Sequence, residues 1–445
     1  MALIQPVLFL ILVLIVGWSI PRVLKLKICV WERLGLSPFL GFGLISILYF
    51  LFNFNLKINI HIWPLLSTVT VLLLLFHHRY EYVPVRRFHR SGLSVILLSL
   101  SLCALAYSCL QSLYWPLWSP DAVYLYDFRA KLLITYGNFD YLSQKFPNTL
   151  AYPPFTSLIH YFFYSAGFSS ATLLYPMTFF GFWLVIYGWV SRFSHSSFKG
   201  LLTATLIVIT PSILWNSFLG LPNIIYTELL TLSLFYLLDA LSISKFSLLS
   251  GFLLGLAVFT RMEGFWLVPV SILISLCLYR RRFLPLIPFF LVFIPIIFLW
   301  PKYTNSVHSP PPLNQISIEI ESLNHLTKGT NAGYQNNGGS FRFNLLPVIK
   351  FMIPSLFSSW GFLPILVLFL FIWELIFLKK VGLIMLIATA LPISVIIGFV
   401  IFASRNSYWP SLESSLYRMA TLVIPFVWVA IVTSTYWDKI KTGIK

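Results

Sequence analysis

Residues 91–114 read SGLSVILLSLSLCALAYSCLQSLY and contain no Asp, Glu, Lys or Arg. A helix needs about 20 mostly apolar residues to cross the hydrocarbon core of a bilayer, so this stretch is long enough for one span. Comparable apolar runs recur along most of the chain. Together they predict an all-α fold, a polytopic bundle of transmembrane helices.

The composition of the whole chain agrees with this prediction. Of its 445 residues, 58% are hydrophobic and only 10% are charged, whereas soluble domains carry about 25% charged residues. A water-soluble enzyme, a disordered chain and a nucleic-acid binder are therefore excluded. The net charge of +17 is typical of Lys and Arg in the cytoplasmic loops of a membrane protein.

About thirteen apolar runs are predicted spans: residues 3–20, 36–56, 62–77, 91–114, 171–190, 200–219, 223–241, 247–262, 264–279, 283–300, 360–378, 381–402 and 419–436. The runs at 62–77, 247–262 and 264–279 are short for a full crossing. The first run is also a candidate signal peptide. It lacks a basic start and a small-residue cleavage site, so we expect it to be a span.

The distribution of charge orients these spans. One set of connecting loops holds 19 of the 30 basic residues and five acids, while the other holds 11 basic residues and eight acids. By the positive-inside rule the basic set is cytoplasmic. This places the N-terminus outside, and residues 437–445 form a cytoplasmic basic tail. Residues 152–168 must then be a helix at the outer surface, because another span there would reverse the later loops.

Three outer loops, 115–151, 301–343 and 403–418, are longer than plain turns and are candidates for function. The first contains Asp121, which follows Ser119-Pro120. Asp121 is either a helix N-cap or a carboxylate that orients or deprotonates an acceptor hydroxyl. Asp127 and Lys131, one helical turn apart, form an ion pair, unless Lys131 binds a phosphate.

Further polar residues fall at the outer ends of other predicted spans. Arg261 and Glu263 either pair with each other or present a guanidinium to an anionic headgroup. Glu228 either marks a helix start or binds a ligand. Arg418 is either an interfacial anchor or a ligand of a lipid phosphate. The Cys and His residues have no metal-ligand spacing.

Taken together, these motifs resemble the GT-C glycosyltransferase superfamily, and within it the RgtA/B/C/D-like and protein O-mannosyltransferase-like transferases. Members have an Asp soon after the first core helix, often as Trp-Asp-Ala followed by Lys-Ala-Lys. This chain has Pro120-Asp121-Ala122 and Arg129-Ala-Lys131, and therefore departs from the pattern at Pro120 and Arg129. Tyr152-Pro-Pro154, Thr260-Arg-Met-Glu-Gly264 and a late Arg418 are also similar to family features.

The resemblance covers residues 91–436, which would form a GT-C-like catalytic core after an N-terminal three-span segment at 1–90. It implies a multi-pass enzyme of the plasma membrane with an extracytoplasmic active site. Such an enzyme moves a sugar from a polyprenyl-phosphate donor to a glycan, lipid or protein acceptor, usually with inversion. Some relatives use a divalent metal.

The resemblance also implies roles for individual residues. Asp121 would be the catalytic base. The donor phosphate would be bound by Arg261, Arg418 and Lys131, and the acceptor or sugar hydroxyls by Glu228, Asp127 and Glu263. The competing interpretation is a polytopic transporter or lipid-linked sugar flippase, which would also have many spans and a few intramembrane charges.

Overall fold

The computed structural model describes residues 4–75, 83–84, 91–117, 119–139, 150, 152–261, 286–307, 350, 352–354, 357–358, 360–378, 382–403, 416 and 418–437. These residues form helices and no strands. The all-α prediction is therefore confirmed for this part of the chain.

The chain divides into two compact units. The described helices of the first unit are α1 Ile4–Val23, α2 Val30–Phe50, α3 Ile62–Leu75, α4 Gly92–Tyr114, α5 Phe128–Tyr136, α6 Phe155–Ser165, α7 Leu174–Phe193, α8 Ser197–Ile209, α9 Pro211–Asn216, α10 Pro222–Ala240, α11 Phe246–Thr260 and α12 Ile287–Ser306. Two π-helical segments, Leu51–Asn55 and Ala122–Asp127, extend α2 and precede α5. The described helices of the second unit are α13 Leu363–Leu378, α14 Leu383–Ala403 and α15 Ile424–Thr433.

Five helical stretches are long and apolar enough to cross a membrane: Ile4–Val23, Val30–Asn55, Gly92–Tyr114, Leu174–Phe193 and Ile287–Ser306. Six shorter apolar helices accompany them among the residues the structure describes. These helices indicate a membrane protein. The predicted run at 264–279 lies outside the described residues, and the count of about thirteen spans stays a prediction.

The predicted run at 200–219 is interrupted. Helix α8 ends at Ile209, and α9 begins at Pro211. Thr210 between them is extended, with ψ 121°, because a proline disfavours the helical conformation in the residue before it. One predicted span is therefore two short helices.

Small residues let the helices of the first unit pack closely. A Cβ on Gly17 of α1 would lie 1.8 Å from the Ser37 carbonyl oxygen of α2, and one on Gly35 of α2 would lie 2.3 Å from the Gly181 carbonyl oxygen of α7. Such close backbone approach is typical of helix packing in membranes. The core helix α10 is buried at every position except Asp239.

At one end of the first unit a buried ion network joins three helices. Arg192 of α7 donates from Nε and Nη2 to the two Glu32 carboxylate oxygens of α2, both at 2.9 Å. Its Nη2 also lies 2.6 Å from Asp239 Oδ2 of α10. Tyr236 and Trp189 complete the network with hydrogen bonds of 3.2 and 3.1 Å to Glu32 and Asp239.

The N-terminal helices pack against helices that follow residue 91. Cys29 and Glu32 form a capping box that starts α2, and a Cβ on Gly188 of α7 would lie 2.7 Å from Cys29 Sγ. The described residues 4–75 are therefore part of the first unit.

Candidate functional site

The opposite end of the first unit gathers the polar residues of the first outer loop. Helices α7 and α10 run from this end toward the ion network, since Arg192 and Asp239 lie near their C-termini. Helix α11 runs the other way and ends at Thr260. Contacts described below bring residues 119–139 and α6 to the same end. Polar and ionisable residues that are far apart in sequence therefore lie close together at this end of the first unit.

Asp121 is not a helix N-cap. The Ser119 carbonyl oxygen accepts the Val123 N–H at 3.0 Å, so the helical turn begins earlier, with Pro120 at its first position, which suits proline. Asp121 has helical dihedral angles, φ −62° and ψ −38°, and makes no side-chain capping hydrogen bond. The N-cap interpretation is wrong, and the half-buried carboxylate stands within the first turn.

The segment that carries Asp121 packs against the start of α10. Ala122 is fully buried and clusters with Phe218, Leu219 and Leu221. Gly220, at φ +77°, has no room for a side chain, because a Cβ there would lie 2.2 Å from Leu117 Cδ2 and 3.3 Å from Ala122 Cβ. This close approach fixes Asp121 beside the residues that open α10.

Asp127 is the centre of a buried polar network. Its Oδ2 lies 2.8 Å from Lys131 Nζ, and its Oδ1 accepts a short hydrogen bond from the Tyr164 hydroxyl and lies 3.4 Å from His160 Nδ1. Burial by itself raises the pKa of Asp127. The contacts with His160, Lys131 and Tyr164 together have a larger, opposite effect, so the pKa is lowered to about 2. The predicted Asp127–Lys131 pair is confirmed, and both carboxylate oxygens already have partners.

His160 and Tyr175 extend this network and were missed by sequence reasoning. His160 Nε2 lies 3.0 Å from the Tyr175 hydroxyl, which donates to the Gly220 carbonyl oxygen at 2.5 Å. The pKa of Tyr164 is raised, chiefly by burial and secondly by the hydrogen bond to Asp127, so its hydroxyl stays protonated and remains a donor. The available signal was the spacing of His160 and Tyr164, which puts two polar groups on one face of an otherwise apolar helix.

Residues 152–168, predicted as a surface helix, do form α6, which begins after Pro153 and Pro154. Nearly all of its side chains are buried within the first unit, including Phe155, Ile159 and His160. The segment is therefore a packed helix of the first unit.

Arg129 is fully buried. Its Nη1 donates to the Tyr152 carbonyl oxygen at 3.0 Å, and its guanidinium carbon lies 5.1 Å from the Phe139 ring centre and 5.3 Å from that of Trp300. Burial lowers the pKa of Arg129 to about 10, with Tyr126 and Tyr303 acting in the opposite direction. The side chain therefore remains charged at neutral pH.

Arg261 lies at the C-terminal end of α11, where its Nη1 donates a short hydrogen bond to Asn223 Oδ1 at the start of α10. Asn223 is three residues after Gly220 and thus adjoins the Asp121 segment. Glu263, the partner that the sequence offered for Arg261, lies outside the described residues.

Glu228 is seven positions into α10, so it does not mark the helix start. Its side chain has no exposed surface, and neither carboxylate oxygen has a close hydrogen-bond partner. At 1.5 Å per residue it lies about 9 Å deeper along the helix than the first residue of α10.

Arg418 belongs to the second unit and precedes α15. The Thr421 hydroxyl donates to the Arg418 carbonyl oxygen at 2.7 Å, and Trp360 Nε1 donates to the Ala420 carbonyl oxygen at 2.7 Å. Helices α13, α14 and α15 line an apolar cavity of about 190 Å³ in the same unit.

Within the described part of the chain, no group of three or more His, Cys, Asp or Glu side chains could hold a metal ion. The fold and the site thus define an all-helical membrane protein with a polar cluster at one end of its first unit. Comparison with protein-family models, curated proteins and solved structures finds no match.

Proposed function

We propose that this chain is a multi-pass plasma-membrane glycosyltransferase that uses a polyprenyl-phosphate sugar. It would transfer the sugar, with inversion, to a glycan, lipid or protein acceptor on the extracytoplasmic face. The observation that carries the proposal is the convergence at one end of the first unit. There the Asp121 segment packs on Gly220, and Arg261 binds Asn223 three residues further along.

In the proposed reaction Asp121 is the base. The acceptor oxygen attacks the anomeric carbon and transfers its proton to the Asp121 carboxylate. The bond from the anomeric carbon to the phosphate oxygen breaks, and its electron pair leaves with the prenyl phosphate. Asp121 suits this role because it does not cap its helix and is half-buried.

Cationic side chains would stabilise the departing phosphate. Arg261 is the best-supported of the candidates, since its hydrogen bond to Asn223 places it at the same end of the first unit as Asp121. Lys131 is less well suited, because its ammonium lies 2.8 Å from the Asp127 carboxylate. Arg418 remains a proposed phosphate ligand in the second unit. Apolar helix surfaces would hold the prenyl tail, at about 0.8 kcal/mol for each buried methylene.

The test is sugar transfer in reconstituted vesicles. They would receive a panel of radiolabelled polyprenyl-phosphate sugars with a crude outer-envelope extract as acceptor. We expect transfer from one donor by the wild type and a loss of at least a hundredfold in Asp121→Asn. The control Lys245→Met changes an exposed residue at the other end of the first unit and should transfer at the wild-type rate. Equal transfer by Asp121→Asn would remove Asp121 from the role of base.

One observation favours a transporter or lipid-linked sugar flippase as the second candidate. Glu228 is a fully buried carboxyl group with Thr178 nearby, and neither of its oxygens has a hydrogen-bond partner within 3.5 Å among the described residues. Ionisable groups within membrane helices often mark ion or substrate pathways. The same vesicles separate the two proposals. A labelled lipid-linked sugar that crosses the bilayer and is never transferred would support the flippase.

A further inference from the structure

Two arginines of the first unit, the half-buried Arg192 and the fully buried Arg129, differ in how they use the same edge of the guanidinium group. In Arg192 the Nε and Nη2 atoms bind the two Glu32 oxygens side by side, both at 2.9 Å. In Arg129 the same two nitrogens are buried and have no hydrogen-bond partner. The Nε–Nη2 edge is the one that guanidinium offers to a carboxylate or phosphate in a bidentate pair.

The surroundings of Arg129 hold this edge in a fixed orientation. Nη1 is engaged by the Tyr152 carbonyl oxygen at 3.0 Å, and the rings of Phe139 and Trp300 lie about equally far from the guanidinium carbon, at 5.1 and 5.3 Å. Trp300 Nε1 is a further buried donor without a partner. Three donor nitrogens on these two side chains lack a hydrogen-bond partner in the described part of the chain, and because Arg and Trp side chains only donate, the ligand that suits them is an acceptor-only anion.

Burial makes such a ligand necessary in energetic terms. A buried charge without a partner costs several kcal/mol, and Arg129 has no exposed surface. Among the residues that the structure describes, the hydrogen-bond partner of its guanidinium is a neutral carbonyl oxygen. The nearby acid, Asp127, already has Lys131, His160 and Tyr164 around it. The charge of Arg129 is therefore available to an anion from outside the chain.

We propose that Arg129, with Trp300, binds a phosphate oxyanion through its Nε–Nη2 edge and is a phosphate ligand of this site in place of Lys131. The inference rests on the proposed function, in which the oxyanion is the phosphate of the prenyl donor. Because the guanidinium is fully buried, the side chains that cover it must shift to admit the ligand. Association should therefore be slower than for a preformed open site.

The experiment measures binding, not transfer, so that it can fail or succeed independently of the proposed function. The full-length protein in detergent micelles would be titrated with farnesyl phosphate, inorganic phosphate, farnesoic acid and farnesol. We expect farnesyl phosphate to bind, farnesol to bind at least tenfold more weakly, and Arg129→Gln to lose at least tenfold in affinity for farnesyl phosphate. Arg129→Lys should lose nearly as much, because an ammonium lacks the planar fork.

Matched controls separate a binding defect from misfolding. Trp300→Phe keeps the ring and removes the N–H, so it should weaken phosphate binding several-fold. Trp183→Phe removes a different buried, unpartnered indole N–H and should bind like the wild type. Lys245→Met removes an exposed charge at the other end of the unit and should also be unchanged. A melting temperature recorded for each variant identifies any that fails to fold.

The remaining arms distinguish the sources of the anion. Tight binding of inorganic phosphate that depends on Arg129 would assign the site to free phosphate. If farnesyl phosphate binds and inorganic phosphate does not, the site is assigned to the lipid phosphate. Equal affinity of farnesoic acid and farnesyl phosphate would overturn the phosphate assignment. Undiminished farnesyl phosphate binding by folded Arg129→Lys and Trp300→Phe would overturn the inference while leaving the glycosyltransferase proposal standing.

Discussion

The Lys131 ammonium lies 2.8 Å from Asp127 Oδ2, one helical turn earlier in the chain. The two side chains differ sharply in burial, with 62% of Lys131 exposed and only 5% of Asp127. The charge that neutralises this buried carboxylate therefore comes from the surface, while Tyr164 and His160 approach it from inside.

This difference in burial predicts unequal effects of removing either partner. We expect Asp127→Asn to lower the free energy of unfolding by about 2 kcal/mol, because it weakens several buried contacts at once. Lys131→Met should cost less than about 1 kcal/mol, because exposed ion pairs contribute little. Denaturant unfolding in micelles measures both, and equal losses would contradict the central role of Asp127.

The same network predicts a dependence of stability on pH. The pKa of Asp127 is lowered to about 2, so the ionised form stabilises the folded state above the unfolded pKa near 4. This stabilisation is lost as the pH falls from about 5 to 2 and is about 2 kcal/mol by linkage. Unfolding followed over this range should show that wild type loses more stability than Asp127→Asn. Parallel curves for the two proteins would count against the lowered pKa.

Gly220 and Gly137 form a matched pair for testing the position of Asp121. Both have positive φ, +77° at Gly220 and +71° at Gly137. A Cβ added to Gly220 would lie 2.2 Å from Leu117 Cδ2, whereas a Cβ added to Gly137 would have no atom within 4 Å. Each Gly→Ala change should cost about 1 kcal/mol of backbone strain. Only Gly220→Ala should also displace the Asp121 segment and reduce sugar transfer, by at least tenfold. Similar transfer rates in the two variants would show that this contact does not position the carboxylate.

The ion network predicts a large effect on stability. Arg192→Met would leave the buried Glu32 and the partly buried Asp239 without their cation, and it should lower the free energy of unfolding by about 3 kcal/mol or more. Lys245→Met, an exposed change at the same end, should be within about 0.5 kcal/mol of wild type. Thermal unfolding in micelles compares them. A melting temperature of Arg192→Met close to that of wild type would refute a structural role for the network.

Much of the helical fold was predictable, because apolar runs of membrane length leave few alternatives. The run at 91–114 is α4, which begins one residue later, at Gly92, and ends as predicted at Tyr114. The run at 171–190 corresponds to α7, Leu174–Phe193, which begins and ends three residues later than predicted. Periodicity alone does not reveal this shift. The break at Pro211 was missed because the surrounding residues are apolar on both sides. Hydropathy reports burial and only weakly reports where a helix ends.

The site was predictable only where its residues are close in sequence. Asp127 and Lys131 are one turn apart, and their pairing follows from helix geometry. His160 reaches Asp127 across 33 positions and Tyr175 reaches Gly220 across 45, so these contacts depend on tertiary packing. Of the two interpretations of Asp121, the N-cap is wrong because Pro120 occupies the first helical position and Ser119 is therefore the cap residue. No sequence pattern indicates that the Nε–Nη2 edge of the Arg129 guanidinium is buried without a partner in the described part of the chain.

The ion network also has a consequence for biosynthesis. Glu32 is separated from Arg192 by 160 positions and from Tyr236 by 204. At synthesis rates of roughly 5–20 residues per second, the ribosome needs roughly 8–32 s to deliver the guanidinium after the carboxylate. During that interval α2 carries a carboxylate that has not yet met its cation. The docking of α2 on α7 through this network therefore cannot precede the synthesis of Arg192, which comes before the midpoint of the 445-residue chain.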